Sequence, residues 1–338
     1  MKSTSNSLCA GSGLISRRTV VVGALAGSIV GCASTAAVQM PQKITLAVQA
    51  SKPDETRTAW QPLVDDLAKQ LGAPIELMTV GQAETVAALA NGKADVVWLS
   101  SSMAVDAVVD AKAKAFALYF NVNGTNGYKA VIATRADSGI KTLDEALTPG
   151  KYRYATGAKT STSGYVLPQH FLFTPRKTTA EALFKSVQVG GHFPNLDALW
   201  AKQVDVIINN STDLAVFQGR TPGAATGIVT LWESPLVPND VLMTRTDMPS
   251  ATQKKLADLF LNYGKTPQQK ELFRKASGIA NFVPADNRLL EPVSGFKFAT
   301  ERAQVEGDAK LNAEQKLAAI SRLNQRAEIF KRSLEGLR

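Results

Sequence analysis

Apolar stretches with the period of a strand and with the period of a helix alternate along most of the chain. Residues 43–49 and 75–80 have strand-like patterns, whereas residues 59–71 carry apolar side chains at helical spacing. Small residues over 83–90 predict another helix, and the alternation continues from there. Strands that alternate with helices predict α/β layers with largely parallel sheets.

Two segments of the chain share one pattern. Residues 91–102 and 201–212 each contain a lysine, an Asp-Val pair, a short apolar strand and a polar, hydroxyl-rich exit. Because ligands of open α/β sheets bind beyond the carboxyl ends of the strands, we expect Ser100 and Ser101 to face residues 209–212 across a cleft. A coincidental similarity between two strand–helix units is the alternative.

Two strands that end in Thr-Arg mark the predicted crossings between two lobes. They cover residues 128–135 and 240–245, in a chain of 338 residues that is too long for one small core. We therefore assign residues 43–135 to the first part of lobe 1 and residues 136–239 to lobe 2. Residues 240–338 then complete lobe 1 and include the C-terminal helices.

Helical patterns dominate after residue 250. Residues 250–263 and 267–276 predict two helices, and residues 313–334 predict a last amphipathic helix. The apolar side of the last helix either packs across lobe 1 or binds a partner, and we favour packing.

A run of hydroxyl residues is the strongest candidate for a binding site. Ser161, Thr162 and Ser163 precede Gly164 and an apolar stretch, a pattern typical of a loop that enters a helix. The first turn of a helix presents unpaired N–H groups and a partial positive charge. Together with the hydroxyls, this favours an anion with several oxygens, such as phosphate or phosphonate. An ordinary capped helix is the alternative.

Residues 1–31 have the pattern of an export signal. An arginine pair precedes an apolar stretch over 19–30 that is too short to span a membrane. The stretch ends at Cys32 in a sequence that resembles the lipobox of bacterial lipoproteins. We therefore expect Cys32 to carry lipid, residues 32–42 to form a tether, and the domain to lie in the periplasm or cell envelope, anchored to a membrane. A plain cleaved signal with a chance cysteine is the alternative.

Composition narrows the possible partners. The formal net charge is +9, but the positive residues are scattered, which suits small anions and argues against a nucleic-acid partner. The only cysteine besides Cys32 is Cys9, within the signal. The mature domain would therefore have no thiol for a disulfide, a metal site or a nucleophile.

No enzyme motif is complete. Gly264-Lys265-Thr266 resembles the end of a phosphate-binding loop, but Leu259 stands where that loop needs glycine. The only histidines are His170 and His192, and a Ser161–His192–Asp triad has no nucleophile motif to support it. We expect no catalysis, no metal and no cofactor. His192 follows two glycines at a strand end and is either a cleft donor or a surface residue.

Several segments together resemble the phosphonate-type (PhnD-like) substrate-binding proteins of bacterial ABC importers, over roughly residues 43–335. The matching segments are 94–98, 127–132, 161–168, 191–192, 204–210, 234–240 and 262–267. The resemblance implies a type II periplasmic binding protein, with two α/β lobes joined by two hinge strands and a ligand cleft between them. It also implies that Ser161, Thr162 and Ser163 hold the phosphonate oxygens, and that His192 and Asp240 line the pocket.

Three positions depart from the family pattern. Gln82 and Leu99 stand where aminoalkylphosphonate binders have cleft tyrosines, and Thr212 stands where they have an acid, with Asp213 one position later. A buried ammonium without a partner is costly, so we expect the cleft not to favour 2-aminoethylphosphonate. A smaller or uncharged tail fits better.

The sequence therefore predicts a substrate-binding lipoprotein of an ABC importer for phosphonate-like oxyanions. Its partners would be a small phosphorus oxyanion, the permease and ATPase subunits, and a membrane reached only through the lipid. The alternatives are a phosphite or phosphate binder of the same family and a lipoprotein sensor that uses the fold without transport.

Overall fold

The computed structural model describes residues 43–50 and 52–335. The predicted export signal, Cys32 and the tether over 32–42 lie outside the described residues. The described chain contains two larger sheets and one short two-stranded sheet. Their strands alternate with helices, which confirms the predicted α/β class.

The strands of the described chain include those predicted over residues 43–49, 75–80 and 240–245, whereas the predicted strand over 128–135 is divided at Lys129. In chain order they are β1 Ile44–Gln49, β2 Ile75–Val80, β3 Val96–Leu99, β4 Ala113–Asn121, β5 Gly127–Tyr128, β6 Ala130–Arg135, β7 Arg153–Thr156, β8 Ser186–Val189, β9 Val206–Asn210, β10 Ile228–Glu233, β11 Val237–Pro238, β12 Val241–Arg245 and β13 Ile279–Pro284.

The helices include two π-helical turns, Thr162–Val166 and Gln169–Phe173, and two 3₁₀ turns, Ala136–Ser138 and Asn287–Leu290. The α-helices in chain order are α1 Pro53–Leu71, α2 Gln82–Ala90, α3 Ser101–Ala111, α4 Leu143–Ala146, α5 Ala180–Leu183, α6 His192–Trp200, α7 Ser211–Arg220, α8 Ala224–Gly227, α9 Ser250–Asn262, α10 Pro267–Ser277, α11 Glu291–Gly307 and α12 Ala313–Glu335.

The first lobe is built on a six-stranded sheet in the order β13-β4-β12-β3-β1-β2. Strands β1, β2 and β3 pair in parallel, whereas β12 runs antiparallel to both of its neighbours. Both faces are covered. Leu46 and Val48 of β1 face one apolar cluster and Ala47 faces another, as the two-residue period of a strand requires.

The second lobe is built on a five-stranded sheet in the order β10-β6-β9-β7-β8. Strand β6 pairs antiparallel with β9 and β10, so it belongs to this sheet and not to the first lobe. The predicted boundary at residue 135 is therefore too late by one strand. The apolar pattern identifies 130–135 as a strand, but the pairing partner that decides its lobe lies far away in sequence.

The two lobes are joined by chain segments that run side by side. Strands β5 and β11 form a two-stranded antiparallel sheet in which Val237 pairs with Tyr128. The buried Asn239 follows β11, and its Nδ2 donates to the carbonyl oxygens of Tyr119 and Thr125, each at 3.0 Å. These bonds hold the returning strand against the outgoing one, and this pair is the hinge.

Helix α11 contacts both lobes. Val293 is buried in an apolar cluster of the second lobe. One turn later, the Lys297 ammonium lies between Asp106 of α3, at 3.0 Å, and Glu301, at 2.7 Å. Burial raises the pKa of Asp106, although the neighbouring cations oppose this. Residues 240–335 thus complete the first lobe and also support the second.

The last helix packs along only part of its length. Phe330 of α12 is buried in an apolar cluster of the first lobe, whereas Leu317 is 71% exposed. Packing across lobe 1 is therefore confirmed for the C-terminal end of the helix. Among the described residues, no helix is both long and apolar enough to cross a membrane.

Candidate functional site

A cleft of about 590 Å³ lies between the two lobes and is lined by residues from both. The N-cap residues of five helical segments line it: Gly81 before α2, Ser100 before α3, Ser161 before the first π-helical turn, Gly191 before α6 and Asn210 before α7. The positive dipole ends of these helices therefore lie at one volume, although the N–H groups of Ser102, Gly164 and Asp213 already donate to protein oxygens. Such a volume favours an anion.

Residues 161–168, which we call the hydroxyl segment, have an unusual backbone because the segment ends in Pro168. In a helix the carbonyl of Gly164 would accept from residue 168, but proline has no N–H. The Gly164 carbonyl instead accepts from the Gly157 N–H and the Thr156 hydroxyl, each at 3.0 Å. Ser161 Oγ accepts from the Gly164 N–H at 3.0 Å and caps the turn. The π-helical turn is the consequence, and such turns are frequent at functional sites.

The three predicted hydroxyls all line the cleft, but they have different partners. Ser161 caps the turn, and Thr162 Oγ1 accepts from the backbone N–H of Ser102 in the first lobe at 2.9 Å. Ser163 Oγ lies 3.2 Å from His192 Nε2. The segment therefore belongs to the second lobe and also contacts the N-terminus of α3.

His192 is held by a carboxylate. Its Nδ1 lies 2.8 Å from Asp213 Oδ2, and Asn210 Nδ2 donates to the same oxygen at 2.9 Å. Burial alone would raise the pKa of Asp213, but the hydrogen bonds from His192 and Asn210 outweigh it and lower that pKa. Asp213 is thus an anion that orients the imidazole toward the cleft.

Asp240 forms the opposite end of the cleft. Its Oδ2 accepts from Gln49 Nε2 at 3.0 Å and from Trp98 Nε1 at 2.9 Å. Burial raises the pKa of Asp240 to about 6, against the effect of these two hydrogen bonds. Gln49 Oε1 and Ser100 Oγ, which are also buried, have no hydrogen-bond partner among the described residues. This end therefore presents acceptors, and a ligand group that donates hydrogen bonds fits it.

Two of the predicted cleft residues do not line the cleft. Leu99 is fully buried in an apolar cluster of the first lobe, because its side chain lies on the other side of strand β3. Ser101 Oγ donates to the Pro238 carbonyl at 3.1 Å and is turned toward the hinge. Ser100, Gln82 and Thr212 do line the cleft, and Gln82 Oε1 accepts from the Thr160 hydroxyl of the other lobe.

Sequence analysis did not identify several residues that line the cleft. Tyr119 and Tyr128 both line the cavity, so the cleft contains tyrosines at positions other than 82 and 99. Burial raises the pKa of both phenols, and both therefore remain protonated donors. Gln49 and Tyr119 lie near the carboxyl ends of β1 and β4, where the strand-end rule could have found them.

Comparison with known proteins places this cleft in a functional context. The family described as ABC transporter, phosphonate, periplasmic substrate-binding protein matches residues 47–290. The phosphonates-binding periplasmic protein of Escherichia coli (strain K12) is 30% identical over 266 residues, 78% of each chain.

Solved structures agree on the fold. A binding protein component of an ABC phosphonate transporter from Pseudomonas aeruginosa superposes with a TM-score of 0.75 at 26% identity, over 89% of this chain and 100% of that one. PhnD1 from Prochlorococcus marinus, in complex with methylphosphonate, gives a TM-score of 0.66 at 16% identity, over 75% of this chain and 97% of that one. The predicted two-lobed periplasmic-binding architecture is confirmed.

The close approach of two glycines holds the hydroxyl segment in place, and it can be tested. A Cβ on Gly157 would lie 2.8 Å from Gly164 Cα, so Gly157→Ala must displace the segment. We expect a loss of about 1–3 kcal/mol in unfolding free energy, measured by urea denaturation. In the control Gly295→Ala, the new Cβ meets nothing within 4 Å and should be neutral or slightly stabilising. Equal stability of the two variants would show that the glycine contact is not close.

Proposed function

Because the chain belongs to the family of periplasmic substrate-binding proteins of phosphonate ABC transporters, we propose that its cleft binds the phosphonate group at the hydroxyl segment and the ligand's tail near Asp240. The observation that carries this proposal is the convergence of five helix N-caps on one cavity together with Ser163 and His192. Phosphonate has three oxygens, and hydroxyls and helix N-terminal N–H groups are the donors that suit them.

The tail subsite supports a ligand with a cationic or donating end. Asp240 is a buried carboxyl whose only hydrogen bonds among the described residues come from Gln49 and Trp98, and both reach the same oxygen. A carboxylate without a counter-charge is costly to bury, and an ammonium group would offset that cost. This reverses the expectation that the cleft disfavours 2-aminoethylphosphonate.

The protein acts as a binding component and, in our proposal, not as a catalyst. Family members are substrate-binding proteins, a class without turnover, whose partners are a permease and an ATPase. Ser163, His192 and Asp213 have the contacts of a hydrolase triad. Ser163 lies at the focus of the proposed anion site, where a bound oxyanion would repel the negative charge that develops on a nucleophile.

Closure of the lobes would present the bound ligand to the transporter. The Thr160–Gln82 and Ser102–Thr162 hydrogen bonds join the two lobes at the cleft. Rotation about the β5–β11 hinge would make and break these bonds, as in other proteins that close around a ligand. The family is periplasmic, and we propose that Cys32 anchors this member to a membrane.

The anion site is tested by removing two hydroxyls. Ser161→Ala with Ser163→Ala removes two hydroxyl donors to a charged group, at about 1.5–3 kcal/mol each, and Ser161→Ala also removes the cap of the turn. The affinity for methylphosphonate, measured by calorimetry, should fall roughly 100-fold or more. Ser321→Ala is the control and should not change the affinity, because Ser321 is exposed on α12, away from the cleft. An unchanged dissociation constant in the double variant would place the anion elsewhere.

The tail subsite is tested by comparing two ligands across pH. Asp240→Asn should weaken 2-aminoethylphosphonate about tenfold or more and leave methylphosphonate nearly unchanged, because only the former carries an ammonium. In the unaltered protein the pKa of Asp240 is raised to about 6. The carboxylate is therefore lost as pH falls through 6, and the amino ligand alone should weaken there. Equal effects of Asp240→Asn on both ligands would contradict this assignment.

The anchor is tested by fractionation. Cys32→Ser should move the protein from the membrane fraction to the soluble periplasmic fraction, because the thiol that would carry lipid is gone. Cys9→Ser, within the predicted signal, is the matched control and should not change the distribution. A protein that is soluble before any substitution would refute the lipid anchor.

A further inference from the structure

The position of the proton on His192 follows from the groups around it. The imidazole Nδ1 of His192 lies 2.8 Å from Asp213 Oδ2 and 2.7 Å from Asn210 Nδ2. Because a carboxylate can only accept and the Asn210 amide donates to the same carboxylate oxygen, we assign the hydrogen to Nδ1. Asn210 is fixed in orientation, because its Oδ1 accepts from the Asp213 N–H at 2.7 Å and its Nδ2 faces the same carboxylate. Neutral His192 therefore has its lone pair on Nε2, which points toward Ser163 and the cleft.

His192 is also the only residue with a cationic form among the described residues that line the cleft. The charged groups near it are Asp213, whose own charge Arg220 of α7 influences, and, in the same cleft, Asp240 and Glu84. An oxygen of a fully deprotonated oxyanion can only accept a hydrogen bond. If it lies at Nε2, that nitrogen must carry a proton.

We propose that the Asp213–His192 pair makes recognition of the anion proton-linked, so that the bound complex holds one proton between His192 Nε2 and a ligand oxygen. The proposal rests on the proposed function, because it concerns the same anion site. A phosphonate monoanion brings this proton with it and meets neutral His192. A phosphonate dianion must instead bind with uptake of one proton from water by the imidazole. Asp213 is then a positioning residue, which stabilises the imidazolium and fixes its Nδ1–H.

Selectivity against sulfonates is a consequence. A sulfonate has the same three oxygens as a phosphonate. Near neutral pH, however, it is fully deprotonated and carries no proton into the site. While free His192 is neutral, sulfonate binding therefore requires a proton from water, whereas phosphonate binding requires one only when the ligand has already lost its own. The cleft thus discriminates between two anions of nearly equal shape through the ability of the ligand to carry a proton, a form of differential binding.

Calorimetry in paired buffers with different ionisation enthalpies measures the proton count directly. Above the second pKa of methylphosphonate, we expect uptake approaching one proton per ligand bound. Below that pKa we expect uptake near zero. Proton release at low pH, without uptake at high pH, would overturn the proposal, because it would mean that the dianion binds to neutral His192.

Variants separate His192 from the other titratable groups. His192→Gln should abolish the uptake, and Asp213→Asn should reduce it, while His170→Gln, at the only other histidine, should leave it unchanged. Uptake that survives His192→Gln would overturn the assignment. Urea denaturation of each variant checks that the fold is intact.

A matched pair of ligands provides the second test. Methanesulfonate should bind at least about 100-fold more weakly than methylphosphonate near neutral pH, and should strengthen about tenfold per unit of falling pH while free His192 is neutral. His192→Gln should reduce the difference in affinity between methylphosphonate and methanesulfonate. Equal affinities independent of pH would refute proton linkage, whereas failure of methylphosphonate to bind at any pH would refute the proposed function itself.

Discussion

In our proposal the cleft attracts a charged oxyanion, and it must do so with hardly any positive side chains. Among the described residues that line it, neither lysine nor arginine is present, and Asp213 and Asp240 add negative charge. Helix N-termini solve the problem because their N–H groups are fixed donors with partial positive charge, worth about 0.3–1 kcal/mol each toward an anion. Five N-caps at one cavity require strands of both sheets to end there, and this dictates the two-lobed arrangement.

The same requirement explains the backbone of the hydroxyl segment. Pro168 prevents a regular helix, and Gly157 and Gly164 approach so closely that a side chain on either would collide with the other's backbone. These residues keep the Gly164 carbonyl bonded outside the helix and turn Ser161, Thr162 and Ser163 toward the cleft. The irregular backbone of the hydroxyl segment therefore directs hydroxyl donors toward the cleft. The packing of the second lobe around the segment offsets the conformational free energy that this backbone requires.

Helix α11 joins the two walls of the cleft. It connects α3 to the hydroxyl segment, since Lys297 pairs with Asp106 and Thr300 Oγ1 donates to the Val166 carbonyl. Helix α11 also packs against α12, so a continuous set of contacts extends from the cleft to both helices.

Local patterns in the sequence determined the α/β class, several strand and helix positions and the hydroxyl segment. Each of these depends on residues close together along the chain, such as the period of apolar positions or Ser161 to Pro168. The two-lobed architecture was predicted from chain length, a remote pair of strands and the family resemblance. Tertiary structure decided which sheet receives β6, because hydrogen-bonding partners of a strand are remote in sequence. It also turned Leu99 into the core, brought Tyr119 and Gln49 to the cleft, and paired Asp213 with His192 across 21 positions. A one-residue step along a strand reverses the direction of a side chain. Contacts between residues that are remote in sequence follow no local period. Only the folded chain could therefore show which of these side chains reach the cleft.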